Sequence, residues 1–254
     1  MSSEELQKEM KEYGMVKERL MVELISGQGN EALLKTVPHR SFEDMQVVYR
    51  FANLDSTGQS TDILIDNKMM DFFGITEDQL YRDAMEYAPV NMPVRMETIT
   101  EALEVDEDPE MTDSSGSMLY VATSESGFLG ASVLTYPGFM DQAAEKLEGD
   151  FYILPSSIHE TILLKDNGLM TVKELEEMVR SINRTEVSPE EHLSDHVYHY
   201  DCMEKRFERA DLYDDRISEQ ENPEKSVLKE LMKTKDRNAE KQKLQKHSRN
   251  EKAL

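Results

Sequence analysis

Apolar residues at three- and four-residue steps open the chain: Leu6, Met10, Tyr13, Val16, Leu20 and Leu24, stopped by Ser26-Gly27-Gln28-Gly29. That spacing predicts one amphipathic helix over 4–25. A short helix near 31–36 follows, and Ser41 with Asp44 at N3 reads as a capping-box variant. Met45–Ala52 (MQVVYRFA) reads as a strand, as does Asp62–Asp66 (DILID) after the turn-rich loop 54–60. A helical turn over 69–73 ends at Gly74, and Thr76 with Gln79 at N3 caps a helix that runs to Tyr87, before Pro89.

The polar stretch 90–116, with an acidic cluster over 104–110, reads as a linking loop and marks a sub-boundary. Met118–Thr123 and Ala131–Tyr136 predict a hairpin around Ser-Glu-Ser-Gly, followed by a helix over 137–147 with Pro at its start. Phe151–Leu154 and Thr161–Leu164 form a second strand pair joined by PSSIHE. Thr171 with Glu174 caps a helix to Ile182, Ser188-Pro189 starts a short helix, and 196–201 alternates as a strand. This order predicts an α+β fold: a mostly antiparallel sheet built from hairpins with helices on one face, an N-terminal helix and a helical charged tail. The domain reading is 1–36 helical, 37–210 core and 211–254 tail.

Charge changes this picture more than composition does. The 254 residues carry 52 Asp/Glu against 29 Lys/Arg, a net of −23. From Pro223 to Leu254, ten Lys/Arg stand against five Asp/Glu, a surplus of +5, so the remaining body carries −28. Such a body repels phosphates and anionic lipid, so neither nucleic acid nor membrane is expected as a direct partner. The basic tail is expected to contact the acidic body or an acidic partner. The single Cys202, the absence of an apolar run of about 20 residues and the polar start Met1-Ser2-Ser3-Glu4-Glu5 lead us to expect a cytoplasmic protein.

The blocks LLKTVPHRSFEDMQVVYRF, ILIDNKMMDFFGITEDQLYRDAMEYAP, GASVLTYP, DFYILPSSIHETILL and SINRTEVSPEEHLSDHVYHYD occur here in one order. Together they resemble the bacterial domain of unknown function family 5688, over about Lys11 to Arg209. The resemblance implies a bacterial source of the gut-Clostridia kind and proximity to mobile-element genes. It also implies that a further N-terminal domain, usual in the family, is missing before the first helix. The charged tail lies outside it, and the family supplies no activity.

Several constellations merit a chemical reading. His192, His196 and His199 lie near Asp195 and Asp201 and form the densest candidate metal site. On a strand, however, His196 and His199 point to opposite faces, so exposed strand histidines are the favoured reading. Ser156, Ser157, His159 and Glu160 place hydroxyls beside a base, but without the glycine-flanked strand-to-helix turn of a hydrolase nucleophile. They read better as turn-bonding residues and, with His39 and Arg40, as a partner surface. Asp62, Asp66 and Lys68, with Asp55 upstream, imitate the end of a metal-dependent nuclease motif.

Asp201 and Glu204 are expected to raise the Cys202 thiol, against a reactive thiolate. The seventeen methionines, Met69, Met70, Met92 and Met96 among them, are expected to fill core gaps. No Gly-rich phosphate loop, GxGxxG or Cys-pair zinc signature occurs, and no cofactor is expected. The reading that fits best is a non-enzymatic binding or accessory protein acting through protein contacts. A metal-dependent hydrolase or nuclease comes second, and an acidic nucleic-acid mimic of the anti-restriction type third.

Overall fold

The computed structural model describes residues 13–54, 60–102, 119–155 and 157–221. The candidate residues Asp55 and Ser156, the acidic cluster over 104–110 and the tail beyond 221 lie outside these residues. Two compact units divide the chain, Met1–Ala210 and Asp211–Leu254. Antiparallel sheets and helices make the first unit α+β, as the pattern predicts.

The first sheet is organised by β3 (Met45–Leu54), whose whole length is paired. On one side it carries β1 (Leu20–Ser26), from Leu20↔Phe51 to Ser26↔Met45. On the other side it carries β2 (His39–Phe42) and then β4 (Ser60–Leu64). The single long opening helix is therefore corrected. Residues 13–17 are helical (α1), and LMVELIS is a strand buried along nearly all its length. A run buried on both faces carries no alternation, so periodicity alone does not separate it from a helix.

The capping box at Ser41 is corrected too. Residues 39–54 form a hairpin whose turn holds Glu43 at φ +56°. The short helix α2 (Glu31–Leu34) stands before it.

Local chemistry sets the next helices. Asp66 accepts the Met69 N–H at 2.8 Å to start α3 (Asn67–Phe73), which Gly74 ends at φ +67°. Thr76 accepts the Gln79 N–H to start α4 (Glu77–Asn91). This helix passes through Pro89 instead of stopping before it. Its end is tethered, because the Asn91 amide donates to the carbonyls of Glu18 and Leu20 at 3.1 and 2.8 Å. Leu80, Ala84 and Ala88 bury its inner face. These anchors offset the missing proline N–H.

The second sheet runs β10-β9-β7-β8-β6-β5, every pair antiparallel. Its strands are β5 (Val94–Thr98), β6 (Leu119–Ser124), β7 (Phe151–Pro155), β8 (Glu160–Lys165), β9 (Tyr198–Asp201) and β10 (Arg206–Arg209). The expected linking loop thus supplies an edge strand, β5, followed by α5 (Ile99–Ala102).

The expected strand over 131–136 is a buried 3₁₀ helix, Gly130–Thr135, so no hairpin joins it to β6. Instead β6 pairs with β5 and β8. The segment Gly130–Leu134 is buried at every position, and strand propensity reports fit to a half-buried surface. Residues 188–192 form turns rather than a helix.

Alternation along β7 decides the layering. Phe151 and Ile153 face the main core with Leu20, Val22, Leu24, Tyr49 and Tyr198, and with Phe139, Ala143 and Leu147 of α6 (Phe139–Leu147). Tyr152 and Leu154 face the other way, against Val172, Leu175 and Val179 of α7 (Val172–Glu186). Each of those three α7 side chains contributes about 1.5–3 kcal/mol by burial. Helices consequently cover both faces of this sheet, not one. A capping box at Thr171 and Glu174 starts α7 as expected. Helix α8 (Ala210–Glu221) starts at the last residue of the first unit and continues into the second.

Candidate functional site

The loop after β7 is held by a set of short polar contacts centred on His159. Leu129, left-handed at φ +49°, donates its N–H to His159 Nδ1 at 3.1 Å, which places the ring proton on Nε2. That nitrogen lies 3.5 Å from Glu191 Oε1. The His159 carbonyl accepts from Thr123 Oγ1 at 2.7 Å, and its N–H donates to Ser157 Oγ at 3.1 Å. Ala131 N–H donates to the Ile158 carbonyl, and Ile158 N–H to the Glu191 carbonyl.

Gly130 passes so close that a Cβ there would stand 2.0 Å from Thr123 Oγ1 and 2.3 Å from the His159 carbonyl oxygen. Three loops, 126–130, 157–159 and 188–192, are thereby fixed to one another. Ser157 and His159 do come together, but Ser157 Oγ accepts a backbone N–H and the imidazole nitrogen that could take a proton is occupied by Leu129. The pair is a loop lock, without a base aimed at a nucleophile.

Beside this lock lies a polar cleft of about 230 Å³. Its floor carries Glu23 of β1 and Arg50 of β3, with Nε and Oε2 2.6 Å apart. Glu23 is 7% exposed. The walls include Gln28, Asn30, Ile158, Glu190 and His192. Sequence reading missed the floor, because LMVELIS was taken for helix. An acid inside an otherwise wholly buried strand is the signal that marks it, since a buried carboxylate requires a partner.

The three candidate histidines go to three different carboxylates. His192 Nε2 meets Asp195 Oδ1 at 3.0 Å, and His196 Nδ1 lies 3.5 Å from Glu176 Oε1. His199 Nε2 stands 3.3 Å from Asp166 Oδ2, with its ring against Tyr152. The expectation of exposed strand histidines is corrected: His199 is fully buried, and His196 precedes the strand.

Hydrogen bonding by His199 holds the Asp166 carboxyl below its usual range, against an opposing push from burial. At Asp195 burial pushes upward, but hydrogen bonds from Asn183 and His192 outweigh it and the carboxyl is lowered. Among the described residues, no three His, Cys, Asp or Glu side chains converge as a metal-holding group.

The remaining candidates are separated. Asp62 lies exposed on β4 opposite Ala52, Asp66 spends its carboxylate on the α3 cap, and Lys68 is exposed on α3. Arg40 pairs with Glu77 and Asp78 and covers the Tyr81 ring at 4.1 Å, which clamps β2 to the start of α4. The His39 ring nitrogen Nδ1 lies 3.0 Å from the Val37 carbonyl oxygen. Glu160 is exposed at the start of β8. The Cys202 thiol is raised, first by its hydrogen bond with Asp150, then by burial and by Asp150 and Asp201 charge. Met70 and Met92 are buried, as expected of gap-filling residues.

A family model described as a family of unknown function, DUF5688, matches residues 2–202. The chain belongs to this family. The matched span contains the cleft, the His159 lock and all three histidines. No curated protein and no solved structure matches the chain. No described helix is long and apolar enough to cross a membrane.

Proposed function

We propose that the chain is a non-enzymatic binding or accessory protein of the mobile-element setting, with the polar cleft over Glu23 and Arg50 as its protein-recognition surface. The observation that carries this reading is the use of the reactive side chains. His159, Ser157 and His192 are each committed to holding loops in place, and the loops 157–159 and 188–192 border the cleft. Rigid loops presenting a concave polar surface suit recognition, because little ordering entropy remains to be lost on binding. The acidic balance of the chain favours a basic protein partner through complementary potentials and faster encounter.

Affinity capture from the native host with the wild-type chain and with a Gln28→Arg/Glu190→Lys double variant tests the proposal. A partner retained by the wild type and lost from the variant supports it. Undiminished recovery on the variant, or turnover of a substrate by the wild type that the variant loses, overturns it.

A further inference from the structure

The floor of the polar cleft is an ion pair with a single contact spent. Arg50 donates Nε to Glu23 Oε2 at 2.6 Å, and among the described residues this is the only hydrogen bond that either side chain makes. A guanidinium donates from Nε and from both terminal nitrogens, so Nη1 and Nη2 of Arg50 remain unspent, as does the second oxygen of Glu23, Oε1. None of these atoms is sealed away: the buried polar atoms without a partner lie elsewhere, and both side chains line the cleft. Donors and an acceptor therefore stand side by side, open to a ligand.

Charge decides the kind of group that fits. Glu23 is 7% exposed and the Arg50 side chain 25%, so the pair lies where an uncompensated charge is costly. The pair is neutral as it stands. A lone carboxylate on Arg50 would leave the floor negative, and a lone ammonium on Glu23 would leave it positive. A ligand that brings both signs keeps the floor neutral and turns one ion pair into two, joined head to tail. Glu190 does not alter this balance, because it is exposed at the wall and solvent screens its charge.

Size and the rest of the lining set the body of the ligand. At about 230 Å³ the cleft falls below the roughly 300–1,000 Å³ of drug-sized sites. It admits about eight non-hydrogen atoms at the roughly 30 Å³ that a water occupies in the liquid. Ile25, Leu33 and Ile158 add an apolar wall beside the charges. We infer that the cleft binds a free α-amino acid with a small aliphatic side chain. Its carboxylate meets Nη1 and Nη2 of Arg50, a pairing of planar fork with planar anion. Its ammonium meets Glu23 Oε1, and its side chain lies against Ile25, Leu33 and Ile158. A peptide terminus or a lysine side chain brings one sign only and is not the occupant. The amino acid takes the floor and leaves the walls at Gln28 and Glu190 to the partner proposed above, so the site adds a ligand to that cleft and requires no partner of its own.

Equilibrium dialysis of radiolabelled L-valine against the full chain near neutral pH tests this. The expected dissociation constant lies below about 1 mM. Isobutylamine lacks the carboxylate, isovalerate lacks the ammonium and isovaleramide lacks both charges, and each is expected to compete at least about tenfold more weakly than unlabelled valine. Glu23→Met/Arg50→Met, shown by thermal unfolding to be folded, is expected to lose binding. The competitor series uses the wild type alone and decides the matter if that variant does not fold. Failure of the wild type to retain L-valine overturns the inference. Equal competition by any one of the three analogues, or undiminished retention by the folded double variant, overturns it equally. The dialysis contains no protein partner, so its failure leaves the recognition surface standing, and a failed capture leaves the amino-acid site standing.

Discussion

The imidazole of His159 accepts the backbone N–H of Leu129 at 3.1 Å, joining the β7–β8 loop to a left-handed residue thirty positions earlier. This bond links a side chain that looks catalytic in sequence to a purely architectural duty. It also makes the lock testable by replacing the acceptor.

His159→Ala removes the acceptor and leaves the Leu129 N–H without its partner, at an expected loss of about 1–3 kcal/mol. His159→Asn, whose side-chain oxygen offers an acceptor at similar reach, is expected to recover part of it. Urea midpoints of the three proteins measure both effects. Equal losses in the two variants refute the role of the bond.

Gly130→Ala is expected to be the more damaging change, at about 3 kcal/mol or more. The added methyl meets the His159 carbonyl oxygen at 2.3 Å and the Ser124 amide nitrogen at 2.6 Å, and backbone atoms cannot rotate away. A drop in soluble yield or in thermal midpoint well beyond that of His159→Ala checks this. An unchanged midpoint shows that the close approach is not obligatory.

Glu23 and Arg50 separate stability from recognition. Glu23→Gln leaves Arg50 without its carboxylate, and since the Arg50 side chain is 25% exposed, the cost is expected at about 1–3 kcal/mol. The double variant Glu23→Met/Arg50→Met is expected to regain most of that loss, because paired apolar replacements restore burial without stranding a charge. It should nevertheless lose the captured partner. A stable double variant that still binds removes the ion pair from the recognition surface.

Asp166 sets an acid limit. Its carboxyl lies below the ordinary value of 3.8 in the folded chain because His199 hydrogen-bonds it. The folded state therefore binds this proton less readily than the unfolded state. The associated stability is present above the unfolded value and is lost as pH falls through the folded one. Asp166→Asn is expected to lower stability near neutrality and to flatten the decline below about pH 4. Parallel acid limbs for the two proteins, followed by circular dichroism, count against the assignment.

The starts of α4 and α7, the end of α3 and the strands joined by PSSIHE follow from neighbouring residues alone. Thr76 and Thr171 cap the helices expected of them, and Gly74 ends α3 at positive φ, because a helix terminus is satisfied by side chains within three or four positions; Asp66, expected as the end of a strand, caps α3 instead. The strands expected at 45–52, 151–154 and 161–164 form within a residue or two of those bounds, and the α+β class and the family likewise follow from the pattern and the ordered motifs.

Tertiary structure decided everything that depends on what lies opposite. LMVELIS became a strand because β3 offers seven pairings, and GASVLT became a 3₁₀ helix because Gly130 presses against the β6 backbone. His192, His196 and His199, clustered within eight positions, were parted by the carboxylates that reach each one. Neither the Glu23–Arg50 floor nor the buried, unpartnered Asn183 Oδ1 is written in any local pattern. Each is made by side chains far apart along the chain, and only packing determines which charge finds a partner and which acceptor is left without one.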